Sequence, residues 1–135
     1  MKSKVKNFER LKEYFEKQPL VSLVFAHGSY VSGKMREDSD LDLGVLFRKK
    51  PDAAIVLKLQ YELSELLEAE VDLAVLNEAS PIFARQVLEK GREIFCRNER
   101  EKQRFVLKVL NEYADLKYCR RDIEKHISKG NIFAG

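Results

Sequence analysis

The segment FAHGSYVSGKMREDSDLDLGVLF, residues 25–47, places two carboxylates one residue apart at the start of an apolar run. If this run is a strand, Asp40 and Asp42 point the same way, because successive side chains of a strand alternate between its faces. Two like charges so close repel each other and resist burial. The pattern therefore predicts a cation between them, and carboxylate oxygens favour Mg²⁺ with substrate phosphates completing its coordination shell. A solvated strand edge or a helix cap is the alternative, since Ser-Asp is common in turns.

The residues before this pair have the complementary chemistry for a phosphate. Gly28 follows an apolar run that predicts a strand, and glycine lets the backbone approach a ligand closely. Ser29 can donate from its hydroxyl and its backbone N–H, and a helix beginning there would favour phosphate at its N-terminus. Gly33 would let the loop fold back. We therefore expect a phosphate-binding loop. The alternatives are that Gly33 only forms a turn and that Ser29 only caps a helix.

A third acid lies in EVDLAVL, residues 70–76, which predicts another strand. If that strand neighbours the second one, Asp72 lies at the same depth as the first two carboxylates. A carboxylate there could bind a metal and orient or deprotonate an attacking hydroxyl. Glu70, on the same face, is the rival for this role, and a lone solvated acid is the alternative for Asp72. We interpret His27, beside the loop, as a structural residue or a support for the site, because transfer assisted by two metal ions does not require a histidine.

Hydrophobic periodicity predicts helices alternating with strands along the whole chain. This alternation predicts a two-layer α/β or α+β domain, residues 1–135, with a catalytic core in residues 1–98 and a helical extension in residues 99–135. The predicted helices cover residues 4–17, 55–66, 81–90 and 99–128, and the predicted strands cover residues 20–26, 40–47, 70–76 and 93–96.

The composition excludes several classes of protein. With 135 residues, 44% of them apolar and 35% charged, the chain has the make-up of one globular domain. Its longest apolar runs are far shorter than the roughly 20 residues of a membrane span, and its N-terminus has no signal-peptide character, so we expect a cytoplasmic protein without a membrane partner. A net charge of +3 does not indicate nucleic-acid binding. The run RNEREKQR, residues 97–104, alternates in sign and is interpreted as a solvated helix start.

The glycine-serine pair, the second glycine and the Asp-x-Asp pair, followed by an acid on a later strand, resemble the minimal nucleotidyltransferases of the DNA polymerase β superfamily. The short chain and its helical tail are most similar to the antitoxin members that pair with a small all-helical HEPN ribonuclease. One feature departs from the family pattern. Many relatives carry an arginine two residues before the second glycine or directly before it, where this chain has Val31 and Ser32. Lys34 and Arg36 could substitute for that cation.

The resemblance implies a polymerase-β-like fold, with a small mixed sheet, helices packed mainly on one face and a long C-terminal helix. It implies two Mg²⁺ ions held by Asp40, Asp42 and Asp72, with ATP as the nucleotide donor. The nucleotide phosphates would be bound by Gly28, Ser29 and Gly33.

The same resemblance implies transfer of AMP to a hydroxyl on a partner protein, with a tyrosine of a HEPN-type toxin as the favoured acceptor. The alternative is a non-catalytic antitoxin that sequesters its toxin by binding. Transfer to a small molecule is disfavoured, because little chain is left for a substrate domain. The sequence leaves open the identity of the acceptor and whether the protein forms a homo-oligomer.

Overall fold

The structure is a computed structural model that describes the backbone of residues 2–27 and 41–128 and the side chains of residues 8–27 and 41–117. The helices and strands predicted from the periodicity are all present, with ends that differ by one or two residues. In chain order they are α1 (Lys2–Glu16), β1 (Val21–His27), β2 (Leu41–Phe47), α2 (Ala53–Leu67), β3 (Val71–Val75), α3 (Pro81–Lys90), β4 (Arg92–Cys96) and α4 (Glu99–Ser128), with a 3-10 turn at Leu76–Glu78.

Two helices begin at side-chain caps that are visible in the sequence. The Asp52 carboxylate accepts a hydrogen bond from the backbone N–H of Ile55 at 2.9 Å, at the start of α2. The Ser80 hydroxyl accepts one from the backbone N–H of Phe83 at 3.2 Å, and Pro81 occupies the first position of α3. These bonds satisfy N–H groups that have no partner inside the helix. The predicted start of the third helix at residue 81 is confirmed.

The four strands form one mixed sheet in the order β3-β2-β1-β4. β1 runs antiparallel to both β2 and β4, whereas β2 and β3 are parallel. The parallel pair is joined through α2, as a crossover connection requires. The predicted fold class, a small mixed sheet in an α/β domain, is confirmed.

Helices cover both faces of this sheet, not mainly one face as the sequence analysis expected. The physical reason is that β1 is buried from Val21 to Ala26, so apolar side chains on both of its faces must be shielded from water. One cluster packs α1 and α2 against the first face, and its members include Leu11, Phe15, Leu63, Val24 and Leu43. The other packs α3 and α4 against the second face, and its members are Leu23, Phe25, Leu76, Ala84, Val87, Phe105 and Val109.

One end of the sheet is closed by four polar residues, Ser22, Arg48, Arg97 and Glu101, which we call the base cluster. The buried Ser22 hydroxyl donates to Glu101 at 2.6 Å, and the Arg48 guanidinium lies 3.2 Å from the same carboxylate. The Arg97 guanidinium donates to four backbone carbonyls at the end of α1 and the start of β1, at 2.8 to 3.3 Å. The base cluster therefore ties α1, β1, β2 and α4 together.

α4 is the longest element, with 30 residues. Its first half packs on the sheet through Phe105 and Val109, which are buried. Leu107, Leu110 and Leu116 are exposed on the same helix. Of the helices in the described ranges, none has the length and apolarity that crossing a bilayer requires.

Candidate active site

Three chemically active side chains lie in one row across the end of the sheet opposite the base cluster. The parallel register of β2 and β3 places Asp42 beside Asp72, and the antiparallel register of β1 and β2 places His27 beside Asp42. Residues paired across adjacent strands point to the same face, and neighbouring strands lie about 4.8 Å apart. We call His27, Asp42 and Asp72 the acid row. It spans the three adjacent strands β1, β2 and β3.

The alternation of β2 explains why the carboxylate of Asp42 stays out of the core. Leu41 and Leu43 point to the face that α1 and α2 cover and are buried, so Asp42 between them points to the other face, where it is half-buried. Two residues further on, Gly44 lies beneath Leu76, and a Cβ atom at position 44 would lie 3.2 Å from the Leu76 Cδ2 atom. Leu76 thus closes the apolar core next to the row.

The structure brings together two of the three acids predicted for the site. Asp72 is the acid in register with Asp42, and it is exposed. The rival, Glu70, lies just before β3, and its backbone carbonyl accepts the Leu41 N–H at 2.9 Å. The register therefore favours Asp72 over Glu70 as the partner of Asp42.

The other predicted site residues, Gly28, Ser29, Gly33 and Asp40, lie outside the described residues. Among the side chains that the structure does describe, no three His, Cys, Asp or Glu groups form a ready set of metal ligands. The assignment of Gly28, Ser29, Gly33 and Asp40 to nucleotide and metal binding stays a prediction.

His27 is the member of the row that the sequence analysis interpreted as a structural residue or a support for the site. Its ring packs edge-on against Phe83 of α3, with centroids 5.4 Å apart and planes at 85°. Burial lowers the pKa of the imidazole, against the raising effects of the Asp42 and Asp72 carboxylates and of a backbone hydrogen bond with Leu43. The Nε2 atom is buried and has no hydrogen-bond partner among the described residues. The sequence shows His27 next to the loop, but its place beside Asp42 depends on the strand register.

Two carboxylates in register at a sheet end, next to a glycine-bearing connection, are what a nucleotidyl-transfer centre requires. Comparison with known families agrees with this arrangement. The model of the family described as "Polymerase beta, Nucleotidyltransferase" matches residues 9–100. The chain belongs to this nucleotidyltransferase family.

Relatives of known name are protein adenylyltransferases. The chain is 29% identical over 105 residues to the protein adenylyltransferase MntA of Shewanella oneidensis, a match that covers 78% of this chain and 75% of that protein. It is 31% identical over 67 residues to a putative protein adenylyltransferase of Methanocaldococcus jannaschii, which covers 50% of this chain and 72% of that protein.

Solved structures with the same fold are toxin-antitoxin complexes. A chain of a toxin-antitoxin structure with AMP-PNP matches with a TM-score of 0.69 and 26% identity, covering 93% of this chain and 96% of that one. A chain from the complex of a tri-AMPylated Shewanella oneidensis HEPN toxin with its MNT antitoxin matches with a TM-score of 0.72 and 23% identity, covering 93% and 98%. The match at 23% identity shows that this chain and the MNT antitoxin share a fold.

Proposed function

We propose that this chain is an Mg²⁺-dependent nucleotidyltransferase that transfers AMP from ATP to a hydroxyl on a partner protein. The observation that carries the proposal is the register of Asp42 and Asp72, which places two carboxylates on neighbouring strands at the same end of the sheet. Membership of the polymerase β nucleotidyltransferase family supports the class of reaction. The names of the relatives support a protein as the acceptor.

The described donor atoms fit Mg²⁺, because carboxylate oxygens are hard ligands and this cation takes few of them. Asp42 and Asp72, together with Asp40, are the residues that would hold two ions. Bound there, Mg²⁺ supplies positive charge that neutralises the nucleotide phosphates and favours ionisation of the attacking hydroxyl. Gly28 and Ser29 are the residues that would hold the phosphates, and Gly33 would shape the loop around them.

Asp42 and Asp72 differ in exposure, and this difference suggests different roles in the reaction. Asp42 is half-buried and is flanked by His27 and Asp72 on the neighbouring strands, which supports a role for it in holding the cation that binds the nucleotide. Asp72 is exposed and can approach an incoming acceptor. In the reaction, the acceptor oxygen forms a bond to the α-phosphorus, the bond from that phosphorus to the bridging oxygen breaks, and pyrophosphate leaves. The carboxylate of Asp72 accepts the hydroxyl proton, so that charges and atoms balance.

We propose that the partner protein is a HEPN-type toxin and that this chain is its antitoxin. Support comes from the relatives and from the solved complexes of toxin with antitoxin that share this fold. The exposed leucines of α4 also offer apolar surface that a partner could cover. We propose that residues 1–98 carry the catalysis and that residues 99–135 form a helical extension.

The test is transfer of AMP from Mg-ATP to the proposed HEPN-type toxin, measured as the increase in the intact mass of the toxin. Asp72→Asn should slow modification on the order of 10²–10³-fold, the loss typical when one group that stabilises charge in a transition state is removed. Glu70→Gln is the matched control, because it neutralises an acid two residues away, and it should modify the toxin at the wild-type rate.

Two outcomes would count against the proposal. Loss of transfer in Glu70→Gln but not in Asp72→Asn would assign the third acid to Glu70. No modification by the wild-type protein, while it still binds and neutralises the toxin, would make the chain an antitoxin that acts by sequestration.

A further inference from the structure

A cavity lies beside the base cluster, between the end of β2, the 3-10 turn and the first half of α4. Its volume is about 320 Å³, which is in the range of sites for small ligands. Arg48, Arg104 and Lys108 are among the residues that line it, and we call it the basic cavity. Within the described part of the chain, its lining includes no member of the acid row. The basic cavity is therefore separate from the candidate active site.

The wall of the basic cavity is fixed by the fold. The Asn77 amide donates to the carbonyl of Phe47 at 2.8 Å, and its oxygen accepts from the Phe47 N–H at 2.9 Å. An amide carries two N–H donors, and the second one of Asn77 has no partner among the described residues. The side chains of Leu76 and Phe105 next to it are buried. The cavity thus has an ordered wall with an apolar part and one available donor.

The charges that line the basic cavity do not cancel. The Glu101 carboxylate accepts from the Ser22 hydroxyl at 2.6 Å and pairs with Arg48 at 3.2 Å, so its charge is satisfied. Arg104 and Lys108 are exposed, and neither has an ion pair or a hydrogen bond to any other side chain that the structure describes. The lining therefore keeps a net charge of +2, in a chain whose total net charge is only +3.

The two cations left over also repel each other. Arg104 and Lys108 are four residues apart on α4, so their side chains are neighbours on one side of the helix, and Arg100 continues this row one turn earlier. Like charges at this spacing destabilise a helix. An anion bound between Arg104 and Lys108 would remove this repulsion and would satisfy both groups.

A phosphate group matches this arrangement better than a carboxylate does. A phosphate monoester carries about −1.5 to −2 charges at pH 7 and three acceptor oxygens, whereas a carboxylate carries one charge and two oxygens. A guanidinium can bind two phosphate oxygens at once, and a lysine adds a compact positive charge. The apolar wall formed by Leu76 and Phe105 offers a contact for the organic part of an ester.

We propose that the basic cavity binds a phosphate dianion, free or as the monoester of a small molecule. Arg104 and Lys108 hold the phosphate, with Arg48 and the Asn77 amide at its edge. This inference does not rest on the proposed function, because the cavity shares no residue with the acid row or with the predicted phosphate-binding loop.

The test is a titration of the ¹⁵N-labelled protein followed by two-dimensional NMR, in chelator so that no divalent cation supports binding at the acid row. AMP and ribose 5-phosphate should each shift the amide signals of Asn77, Arg104 and Lys108 to saturation. The signals of Asp42 and Asp72 should stay unchanged. Adenosine, which lacks the phosphate, should shift none of them. Inorganic phosphate distinguishes the two sources of the anion: weaker binding than that of ribose 5-phosphate assigns an ester, and equal binding assigns the free ion.

A charge-matched pair of variants checks the assignment. Arg104→Gln/Lys108→Gln should weaken binding of ribose 5-phosphate at least about tenfold, because it removes two charged hydrogen-bond donors. Lys12→Gln/Lys58→Gln removes the same charge from exposed positions of α1 and α2, on the other face of the sheet, and should bind as the wild-type protein does. Urea unfolding should show that neither double variant is less stable than the wild-type protein.

Three results would overturn the inference. They are the absence of saturable shifts with both esters, shifts confined to the acid row, and equal losses of affinity in the two double variants. None of these results bears on AMP transfer, which is measured separately through Asp72→Asn, so the basic cavity and the proposed function fail independently.

Discussion

The two ends of β1 hold polar groups under opposite conditions. At the base cluster, a buried hydroxyl, a carboxylate and two guanidinium groups are joined by hydrogen bonds and an ion pair. At the acid row, about 16 Å away along the strand, two carboxylates stand side by side and a buried histidine nitrogen has no partner among the described residues. The base cluster satisfies its own charges and stabilises the fold. The acid row places two carboxylates in register beside a histidine, a concentration of titratable groups that is typical of a functional site.

This difference predicts that the two ends respond to mutation in opposite ways. Removing a polar group from the base cluster should lower the free energy of unfolding and leave the rate of AMP transfer unchanged. Removing one from the acid row should slow AMP transfer and leave the free energy of unfolding unchanged or higher. Residues needed for function often lower the stability of a protein.

The largest stability effect is expected for Arg97→Ala. Its guanidinium donates to the carbonyls of Phe15, Gln18 and Val21, and its loss leaves these acceptors without their charged partner. We expect a fall of about 2–4 kcal/mol in the free energy of unfolding, measured by urea denaturation. Arg100→Ala is the control, because Arg100 lies three residues further on, is exposed in the first turn of α4, and should change stability by less than about 0.5 kcal/mol. Equal effects of the two substitutions would show that the base cluster does not stabilise the fold.

A smaller effect is expected for Tyr14→Phe, which removes the hydrogen bond from the Tyr14 hydroxyl to Glu62 at 2.8 Å. We expect a loss of about 1 kcal/mol near neutral pH. Burial, and then the bond to Glu62, raise the pKa of Tyr14 above its ordinary value of 10. Above that pH the unfolded chain loses the phenolic proton while the folded chain keeps it, so stability falls by about 1.4 kcal/mol per pH unit from this group.

The pH dependence gives this prediction its own check. The contribution of Tyr14 is fully present below pH 10 and is lost as the pH rises toward its folded pKa. Urea unfolding at several pH values above 10 should therefore show a shallower decline for Tyr14→Phe than for the wild-type protein. Parallel curves for the two proteins would contradict the assigned cause.

The smallest stability effect, with the opposite sign, is expected for Asp42→Asn. Like charges directly opposite each other on adjacent strands are destabilising, and the substitution removes one of the pair formed with Asp72. Without Mg²⁺, we expect the free energy of unfolding to stay constant or to rise by up to about 1 kcal/mol. A loss of more than that in chelator would show that Asp42 stabilises the fold, and the contrast between the two ends would then break down.

The start of α3 and the alternation of β2 could be predicted because their signals are local. Ser80 and Pro81 act within three residues of their own positions, and the interpretation of the Asp-x-Asp pair uses only the alternation of side chains along a strand. The apolar run of residues 20–26 also contained a hint that both faces of the sheet are covered, since it does not alternate regularly with polar residues.

Long-range features could not be obtained in the same way. Arg97 lies in a run interpreted as a solvated helix start, yet it bonds the carbonyl of Phe15, 82 residues away in sequence. The position of His27 next to Asp42 is set by the register of β1 on β2, which no local pattern specifies. Such features follow from tertiary packing.

The central claim is that the acid row is a centre for nucleotidyl transfer, and one labelling experiment tests it most directly. The protein is incubated with the proposed HEPN-type toxin, Mg²⁺ and ATP labelled with ³²P at either the α- or the γ-phosphate, with Asp40→Asn/Asp42→Asn as the comparison. We predict that α-label appears on the toxin, that γ-label does not, and that the double variant transfers neither. Transfer of γ-label, or α-label that survives in the double variant, would contradict the claim.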